Sequence, residues 1–265
     1  MTENLKFSHL VVNADAKWLN DTSEMVRIQM FGLPYVPSEG KSALGFRVGN
    51  LWLGEQAVEL LLARRLLGMD EYREWCERYV DGERGLVALA FEVDDLHAIY
   101  DRYCWNGLTE PLRVWKHLGQ GHYVEELFSA SSQLPFFKGA PFQLRFVQRK
   151  TGEEARQDIA KITIPNAYEN GIEGIESIRI RAPFTHDDRQ LIEILFPSAQ
   201  RKRTMYTIDI DNGNEKLWFE WGKDIVEMEV DVWLKGRMSG LRGESTLRIH
   251  NVTFHARGVP FEPEL

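Results

Sequence analysis

Cysteine is scarce in this chain, and its scarcity excludes two common ways of stabilising a protein. Only two of the 265 residues are cysteines, Cys76 and Cys104, and neither belongs to a C-x-x-C pair. A disulfide framework needs several cysteines, and a zinc ribbon needs closely spaced ones. The chain must therefore depend on a hydrophobic core, and its length is sufficient for one large domain or two.

Basic charge and long apolar segments are lacking as well. The formal net charge is −8, which disfavours nucleic acid as a partner because phosphates require a basic face. No apolar run approaches the about 20 residues of a membrane-spanning helix, and the first residues lack the apolar segment of a signal peptide. The sequence thus predicts a cytoplasmic protein without membrane or nucleic-acid contacts.

Motifs for several catalytic classes are also absent. The chain contains no G-x-S-x-G, P-loop, G-x-G-x-x-G or H-E-x-x-H pattern. A serine-nucleophile site and a nucleotide-binding loop are therefore not indicated.

Three stretches, which begin at Phe7, Leu86 and Ile175, repeat one order of elements. Each has an apolar strand, a short polar break and an amphipathic helix, and further strand-like runs follow. This repetition predicts an α+β fold of βαβββ modules. Because such a module has one apolar face and open edges, two modules are expected to join into a cupped mixed sheet.

The repeat also predicts the domain organisation. Residues 1–150 form one domain from the modules 5–62 and 84–148, and the charged segment 151–171 is a linker. Residues 172–265 form a third, diverged βαβββ unit with one extra strand. The strands predicted in this unit are 174–182, 204–210, 216–221, 225–234 and 245–257. Because the unit leaves an open edge, we expect it to pack on the first domain or on a second subunit in a homodimer.

The first 150 residues resemble the vicinal oxygen chelate superfamily, which has the glyoxalase and bleomycin-resistance fold. The resemblance lies in Phe7-Ser-His-Leu-Val-Val, in Ala57-Val-Glu-Leu-Leu, in the segment Gly85–Leu96 and in Pro141-Phe-Gln-Leu-Arg-Phe. It covers residues 5–148 well. The order and spacing of these short motifs are the basis of the resemblance.

In that family a divalent metal is held by the first and fourth strands of each module. The resemblance implies His9 and Glu59 as ligands from the first module. In the second module Ala88 stands where a histidine is expected, and Gln143 stands where a glutamate is expected. Imidazole and carboxylate ligands suit Zn, Ni, Mn or Fe. By propensity alone residues 57–62 are also compatible with a helix, which would make Glu59 a surface carboxylate.

Further residues are predicted to line the cup. Glu92 shares a strand face with Ala88 and, with Glu59, is a candidate for moving a proton, although a position at the rim is an alternative. Arg145 suits an anionic substrate group, and pairing with a nearby carboxylate is its other interpretation. Aromatic side chains that contact a flat substrate or belong to the core are Trp52, Trp115 and Tyr123.

Two functions follow from this pattern. The first is a divalent-metal-dependent lyase or isomerase that acts on a small oxygen-chelating substrate in the cup, which His9 and Glu59 favour. The alternative is a metal-free, drug-sequestering protein, which Ala88 favours because an alanine cannot ligate a metal. For the third unit the sequence predicts a structural role, with a charge-paired sheet face that includes Arg179 and Arg181.

Overall fold

The computed structural model describes two seven-stranded mixed sheets and two helices. The residues described are 5–14, 35–38, 46–54, 56–63, 78–79, 82–104, 116–117, 126–127, 129–133, 136–149, 172–236 and 245–256. The predicted linker 151–171 lies outside them. Among the described residues, no helix is long and apolar enough to cross a bilayer.

The N-terminal sheet has the strand order β2-β3-β4-β1-β5-β9-β8. Its elements, with a separate two-stranded ladder β6-β7, are β1 (Leu5–Asn13), β2 (Tyr35–Ser38), β3 (Phe46–Leu53), β4 (Gln56–Ala63), β5 (Gly85–Val93), helix α1 (Leu96–Cys104), β6 (Lys116–His117), β7 (Glu126–Leu127), β8 (Ser129–Gln133) and β9 (Gln143–Arg149). Strand β1 is parallel to β4 and antiparallel to β5, and β5 is parallel to β9. Residues 57–62 are therefore strand, as the repeat predicted, and not helix.

The C-terminal sheet repeats this architecture, with the strand order β11-β12-β13-β10-β14-β16-β15. Its elements are β10 (Ile172–Arg181), helix α2 (His186–Leu195), β11 (Gln200–Lys202), β12 (Met205–Ile210), β13 (Glu215–Glu220), β14 (Glu229–Gly236), β15 (Ser245–Ile249) and β16 (Val252–Ala256). Strand β10 is parallel to β13 and antiparallel to β14, as β1 is to β4 and β5. The predicted third βαβββ unit is thus β10-α2-β11-β12-β13, and the fold class is confirmed.

Two predicted strands of this unit need correction. The strand predicted at 225–234 begins only at Glu229 and opens a further group of strands beside β10. The strand predicted at 245–257 is a hairpin of β15 and β16, which turns at His250, whose φ is 53°, and at Asn251. Neither glycine nor proline marks this turn, and its signal in the sequence is a shift of the apolar alternation by one position between Ile249 and Val252. The unit therefore has two strands where the sequence predicted one.

The two sheets pack back to back around one core. Alternate residues of both sheets, such as Leu10, Leu89 and Ile178, are fully buried in it together with residues of both helices. Phenylalanines connect the halves: the ring centres of Phe142 and Phe219 lie 6.5 Å apart in a stacked arrangement. Burial of each such ring contributes about 1.5–3 kcal/mol. The remaining face of each sheet points away from this core.

A buried polar junction connects the first residues of β4 and β13. Gln56 Nε2 donates to Glu215 Oε1 at 2.9 Å, and Lys235 Nζ lies 3.1 Å from the same oxygen. The backbone N–H of Ile175 donates to Gln56 Oε1 at 2.6 Å, and that of Phe7 donates to Glu215 Oε2 at 3.3 Å. Each side chain therefore accepts a hydrogen bond from the first strand of the opposite sheet.

A second junction is formed by the buried carboxylate of Asp188 in helix α2. It accepts hydrogen bonds from the backbone N–H groups of Lys138 at 2.7 Å, Gly139 at 2.9 Å and Thr185 at 2.8 Å. Thr185 is the N-cap residue and completes a capping box with Asp188. Because a Cβ at Gly139 would lie 2.0 Å from the carbonyl oxygen of Pro183, only glycine fits this close approach.

Replacement of Asp188 is expected to destabilise the whole protein. Asp188→Ala removes the acceptor of three backbone donors, one of which is the Thr185 N–H of the capping box, so the free energy of unfolding should fall by about 2–4 kcal/mol. Urea unfolding followed by circular dichroism measures this change. The neighbouring Asp187→Ala is the matched control, since Asp187 is exposed and its ion pair with Lys138 lies at the surface. Equal unfolding midpoints for the two variants would contradict the assigned role of Asp188.

Candidate functional site

The strand register places the predicted site residues on one face of the N-terminal sheet. His9 pairs with Ala90 and Val11 with Ala88 across β1 and β5, and Val11 pairs with Glu59 across β1 and β4. Because directly paired residues point to the same side of a sheet, one face can be assigned. This face, the N-terminal cup, contains His9, Trp52, Glu59, Ala88, Ala90, Glu92, Gln143 and Arg145.

The candidate ligands are spread over four consecutive strands, in the order β4-β1-β5-β9. Glu59 and His9 lie on neighbouring strands, which are about 4.8 Å apart. Gln143 is three strand spacings from Glu59, or about 14 Å along the sheet. His9 and Glu59 therefore form the compact pair, and curvature of the sheet determines whether Gln143 can join them.

The His9 ring is oriented by its neighbour in sequence. Its Nδ1 lies 3.1 Å from the hydroxyl of Ser8, and the residue is half-buried. A hydrogen bond at one ring nitrogen restricts the orientation of an imidazole, which is how the ring of a metal-ligating histidine is commonly held.

The N-terminal cup contains buried polar atoms without a hydrogen-bond partner within the described part of the chain. Among them are Gln143 Oε1, in a residue only 3% exposed, and Trp52 Nε1. A buried polar atom without a partner costs about 1–3 kcal/mol, and such atoms in a folded protein call for an explanation such as a ligand, an ion or a water molecule. An acceptor and a donor are therefore both available to a bound molecule.

Arg145 occupies the position in the second module that Glu59 occupies in the first. If Ala88 corresponds to His9, then Ala90 corresponds to Val11. Val11 pairs with Glu59 in the first module, and Ala90 pairs with Arg145 in the second. The cup thus carries a cation where symmetry would place a second carboxylate. Sequence spacing could not show this, because it depends on the parallel register of β5 and β9.

Tyr79 closes one end of the cup and was not predicted from the sequence. It is 1% exposed and packs in a cluster with Val11 and Ala88, and its hydroxyl donates to the carbonyl oxygen of Pro141. Burial raises the pKa of Tyr79 well above its ordinary value, although the nearby cations, including Arg145, act in the opposite direction. The phenol therefore stays protonated. The only sequence signal was its place in an apolar helical stripe.

The other predicted residues are placed as follows. Glu92 is half-buried, faces the same side as Ala88 and pairs with Lys6 near the end of β5. Trp115 and Tyr123 lie outside the described residues. Within the described ranges, no three or more His, Cys, Asp or Glu side chains are grouped in a way that could hold a metal ion.

The outward face of the C-terminal sheet carries a different set of groups, which we call the C-terminal cup. Its members are Ser177, Arg179, Arg181, Trp218, Glu229, Asp231, Trp233 and His255. Arg179 contacts Asp231 at 2.7 Å, and Arg181 contacts Glu229 at 2.8 Å. The predicted charge-paired face is thereby confirmed.

Asp231 also binds a histidine that the sequence did not assign to this face. His255 Nε2 lies 2.8 Å from Asp231 Oδ1, and the His255 ring stacks on Trp233 with the centres 5.1 Å apart. Trp218 meets Trp233 edge-on at 6.1 Å. The sequence predicts one strand at 245–257. It therefore does not predict the pairing of β16 with β14, which places His255 on this face.

Comparison with known proteins identifies the fold. No protein-family model and no curated protein sequence matches the chain. Among solved structures, a hypothetical protein from Staphylococcus aureus has a TM-score of 0.68 at 12% identity, with 95% of this chain and 98% of that chain covered. A variant of 4-hydroxymandelate synthase from Streptomyces coelicolor has a TM-score of 0.55 at 12% identity, with coverage of 88% and 71%.

A fusion protein of a xylose isomerase-like TIM barrel and a 4-hydroxyphenylpyruvate dioxygenase has a TM-score of 0.51 at 13% identity. The matched region comprises 87% of this chain and 36% of the fusion protein. The synthase and the dioxygenase have the vicinal oxygen chelate fold. The chain therefore has this fold, and at these identities the likeness extends to the fold alone.

The buried Tyr79 phenol predicts a loss of stability at alkaline pH. In the unfolded chain a tyrosine ionises at a pKa of about 10, whereas folded Tyr79 keeps its proton to higher pH. The free energy of unfolding should therefore fall as the pH rises above about 10. Urea unfolding between pH 8 and pH 11 measures this dependence in wild type and Tyr79→Phe.

The variant should show a shallower decline, because one of the responsible groups is gone. Some decline should remain, since burial and a hydrogen bond to Glu193 raise the pKa of Tyr206 to about 12. Parallel curves for wild type and variant would exclude the assigned effect of Tyr79.

Proposed function

We propose that the N-terminal cup binds a small oxygen-rich substrate beside a divalent metal and acts as a lyase or isomerase. The observation that carries this proposal is Gln143 Oε1, a buried acceptor without a donor, on the same sheet face as His9 and Glu59. A bound cation would satisfy this acceptor. An imidazole, a carboxylate and an amide oxygen are suitable ligands for Zn, Ni, Mn or Fe.

The donor set fits a metal that leaves coordination positions open. His9 Nε2 and the Glu59 carboxylate would hold the ion, and Gln143 would contribute a neutral oxygen. A bound ion would supply Lewis-acid stabilisation of an oxyanion on the substrate. With Ala88 and Arg145 in the second module, few protein ligands remain, so affinity should be modest and the open positions are available to substrate oxygens.

The side chains of the cup then have distinct tasks. Arg145 would bind an anionic group of the substrate, since a guanidinium can form two parallel hydrogen bonds with a carboxylate. Trp52 Nε1 would donate a hydrogen bond to a substrate oxygen. Glu92, half-buried towards the rim, would accept a proton from the substrate and return it to a neighbouring atom, which is the proton transfer that an isomerase or lyase requires.

The second candidate function is metal-free binding of a small molecule, as in drug-sequestering proteins. Ala88 and Arg145 favour it, because an alanine and a cation replace two expected ligands. In this case Arg145 and the donor of Trp52 would hold an anionic ligand alone. The cup residues are the same, and only the dependence on His9 and Glu59 differs between the two functions.

Metal titration separates these functions. Isothermal titration of metal-free protein with Mn²⁺ and Zn²⁺ should show one site per chain, and His9→Ala should weaken it by at least about tenfold because one of few ligands is lost. Glu59→Gln should act similarly. The matched control is His255→Ala. It removes a histidine of the C-terminal sheet and should leave the metal affinity unchanged.

Two outcomes would overturn metal dependence in favour of the second candidate. One is a wild-type protein that binds neither ion. The other is equal binding by wild type and a His9→Ala, Glu59→Gln double variant. Retained binding in His255→Ala with loss in His9→Ala supports the metal site in the N-terminal cup.

A further inference from the structure

We propose that the C-terminal cup is a second binding site, which takes a small monocarboxylate without a metal. The groups that would form it are Ser177 and Arg179 on β10, Asp231 and Trp233 on β14, and His255 on β16. They lie on three neighbouring strands, and their side chains share the outward face of the C-terminal sheet. This site goes beyond the function proposed for the N-terminal cup.

The first argument is a buried hydroxyl. Ser177 is 2% exposed, and its Oγ has no hydrogen-bond partner within the described part of the chain. It lies directly beside Trp233 in the ladder, two residues from Arg179. An alanine would avoid the cost of burying an unsatisfied hydroxyl. A serine here therefore indicates a ligand oxygen that accepts a hydrogen bond from the hydroxyl.

The second argument is the charge of the cluster. Asp231 is shared by two side chains that can be cationic: its Oδ2 accepts from Arg179 Nε at 3.3 Å and Nη2 at 2.7 Å, and its Oδ1 lies 2.8 Å from His255 Nε2. The cluster thus places a guanidinium and an imidazole close to the buried hydroxyl of Ser177, and a guanidinium is a group that recognises carboxylates.

The third argument is the local environment. Trp218 and Trp233 are 3% and 8% exposed, and the guanidinium carbon of Arg179 lies 5.7 Å from the centre of the Trp233 ring. Such aromatic surroundings exclude water and strengthen charge interactions. The Arg179, Asp231 and His255 side chains nevertheless keep 18%, 19% and 24% of their surface exposed, so the polar groups can be reached from solvent.

The two cups can be tested separately, because they lie on opposite sides of the common core. A carboxylate bound beside Trp218 and Trp233 should change their fluorescence. Because Trp52 of the N-terminal cup also fluoresces, the part of the change that Trp233→Phe removes gives the reading from the C-terminal cup. The probes are acetate and benzoate, each compared with its uncharged isostere, acetamide or benzamide. The full chain is titrated up to about 10 mM, the range of weak small-ligand affinities.

We expect saturable fluorescence changes with at least one carboxylate and none with its amide. Ser177→Ala should weaken binding about fivefold, as expected for one hydrogen bond. Arg179→Lys should weaken it about tenfold or more, since a lysine keeps the charge but loses the forked donors. Trp233→Phe should remove most of the signal. Binding should persist in the presence of a chelator and in the His9→Ala, Glu59→Gln double variant. This test therefore does not depend on whether the proposed metal site exists.

Three outcomes would overturn the proposal. They are the absence of saturation with both carboxylates, equal binding of amide and carboxylate, and unchanged affinity in Ser177→Ala and Arg179→Lys. Ser177→Ala is the decisive variant, because removal of an unsatisfied hydroxyl should not destabilise the fold. An unchanged urea midpoint in this variant, together with reduced affinity, separates a ligand contact from a structural role.

Discussion

The rest of the structure depends on one packing constraint: both sheets bury the same kind of face against each other. Leu10, Leu89 and Phe146 from the first sheet meet Ile178 and Phe219 from the second in a continuous core. Because side chains alternate along a strand, this arrangement determines where every second residue points. Most polar members of β1, β5, β9, β10, β14 and β16 therefore face outward, whereas Gln56 of β4 faces the other sheet, where it is hydrogen-bonded. The two cups are therefore consequences of the core.

The outward faces have diverged in chemistry while the strand order has stayed the same. The N-terminal cup has His9, Glu59 and Gln143 with an arginine at the symmetric position of Glu59, which suits an ion or an anionic substrate. The C-terminal cup has Asp231 between Arg179 and His255, enclosed by tryptophans. One scaffold thus presents two different polar sites, and neither disturbs the shared core because each lies on the far face of its own sheet.

Local patterns predicted the N-terminal half of the fold well and the C-terminal half less completely. The strand that contains Glu59 was identified although Ala57–Leu62 has helical propensity, because the repeat of modules outweighed propensity. The β15–β16 hairpin was not predicted, since its turn at His250 and Asn251 has no glycine or proline and is marked only by a one-position shift of the apolar alternation. Strand register is the second property that the sequence did not predict. The pairing of Ala90 with Arg145, or of Trp233 with His255, depends on residues far apart in the chain, and no local pattern specifies it.

The junction of Gln56 and Glu215 distinguishes the two halves of the molecule. The two residues occupy equivalent positions, each at the start of the strand parallel to the first strand of its sheet. One amide and one carboxylate complement each other here, whereas two carboxylates in contact would repel. The two sheets therefore meet as unlike partners, and a copy of the C-terminal half in place of the N-terminal half would set two carboxylates against each other.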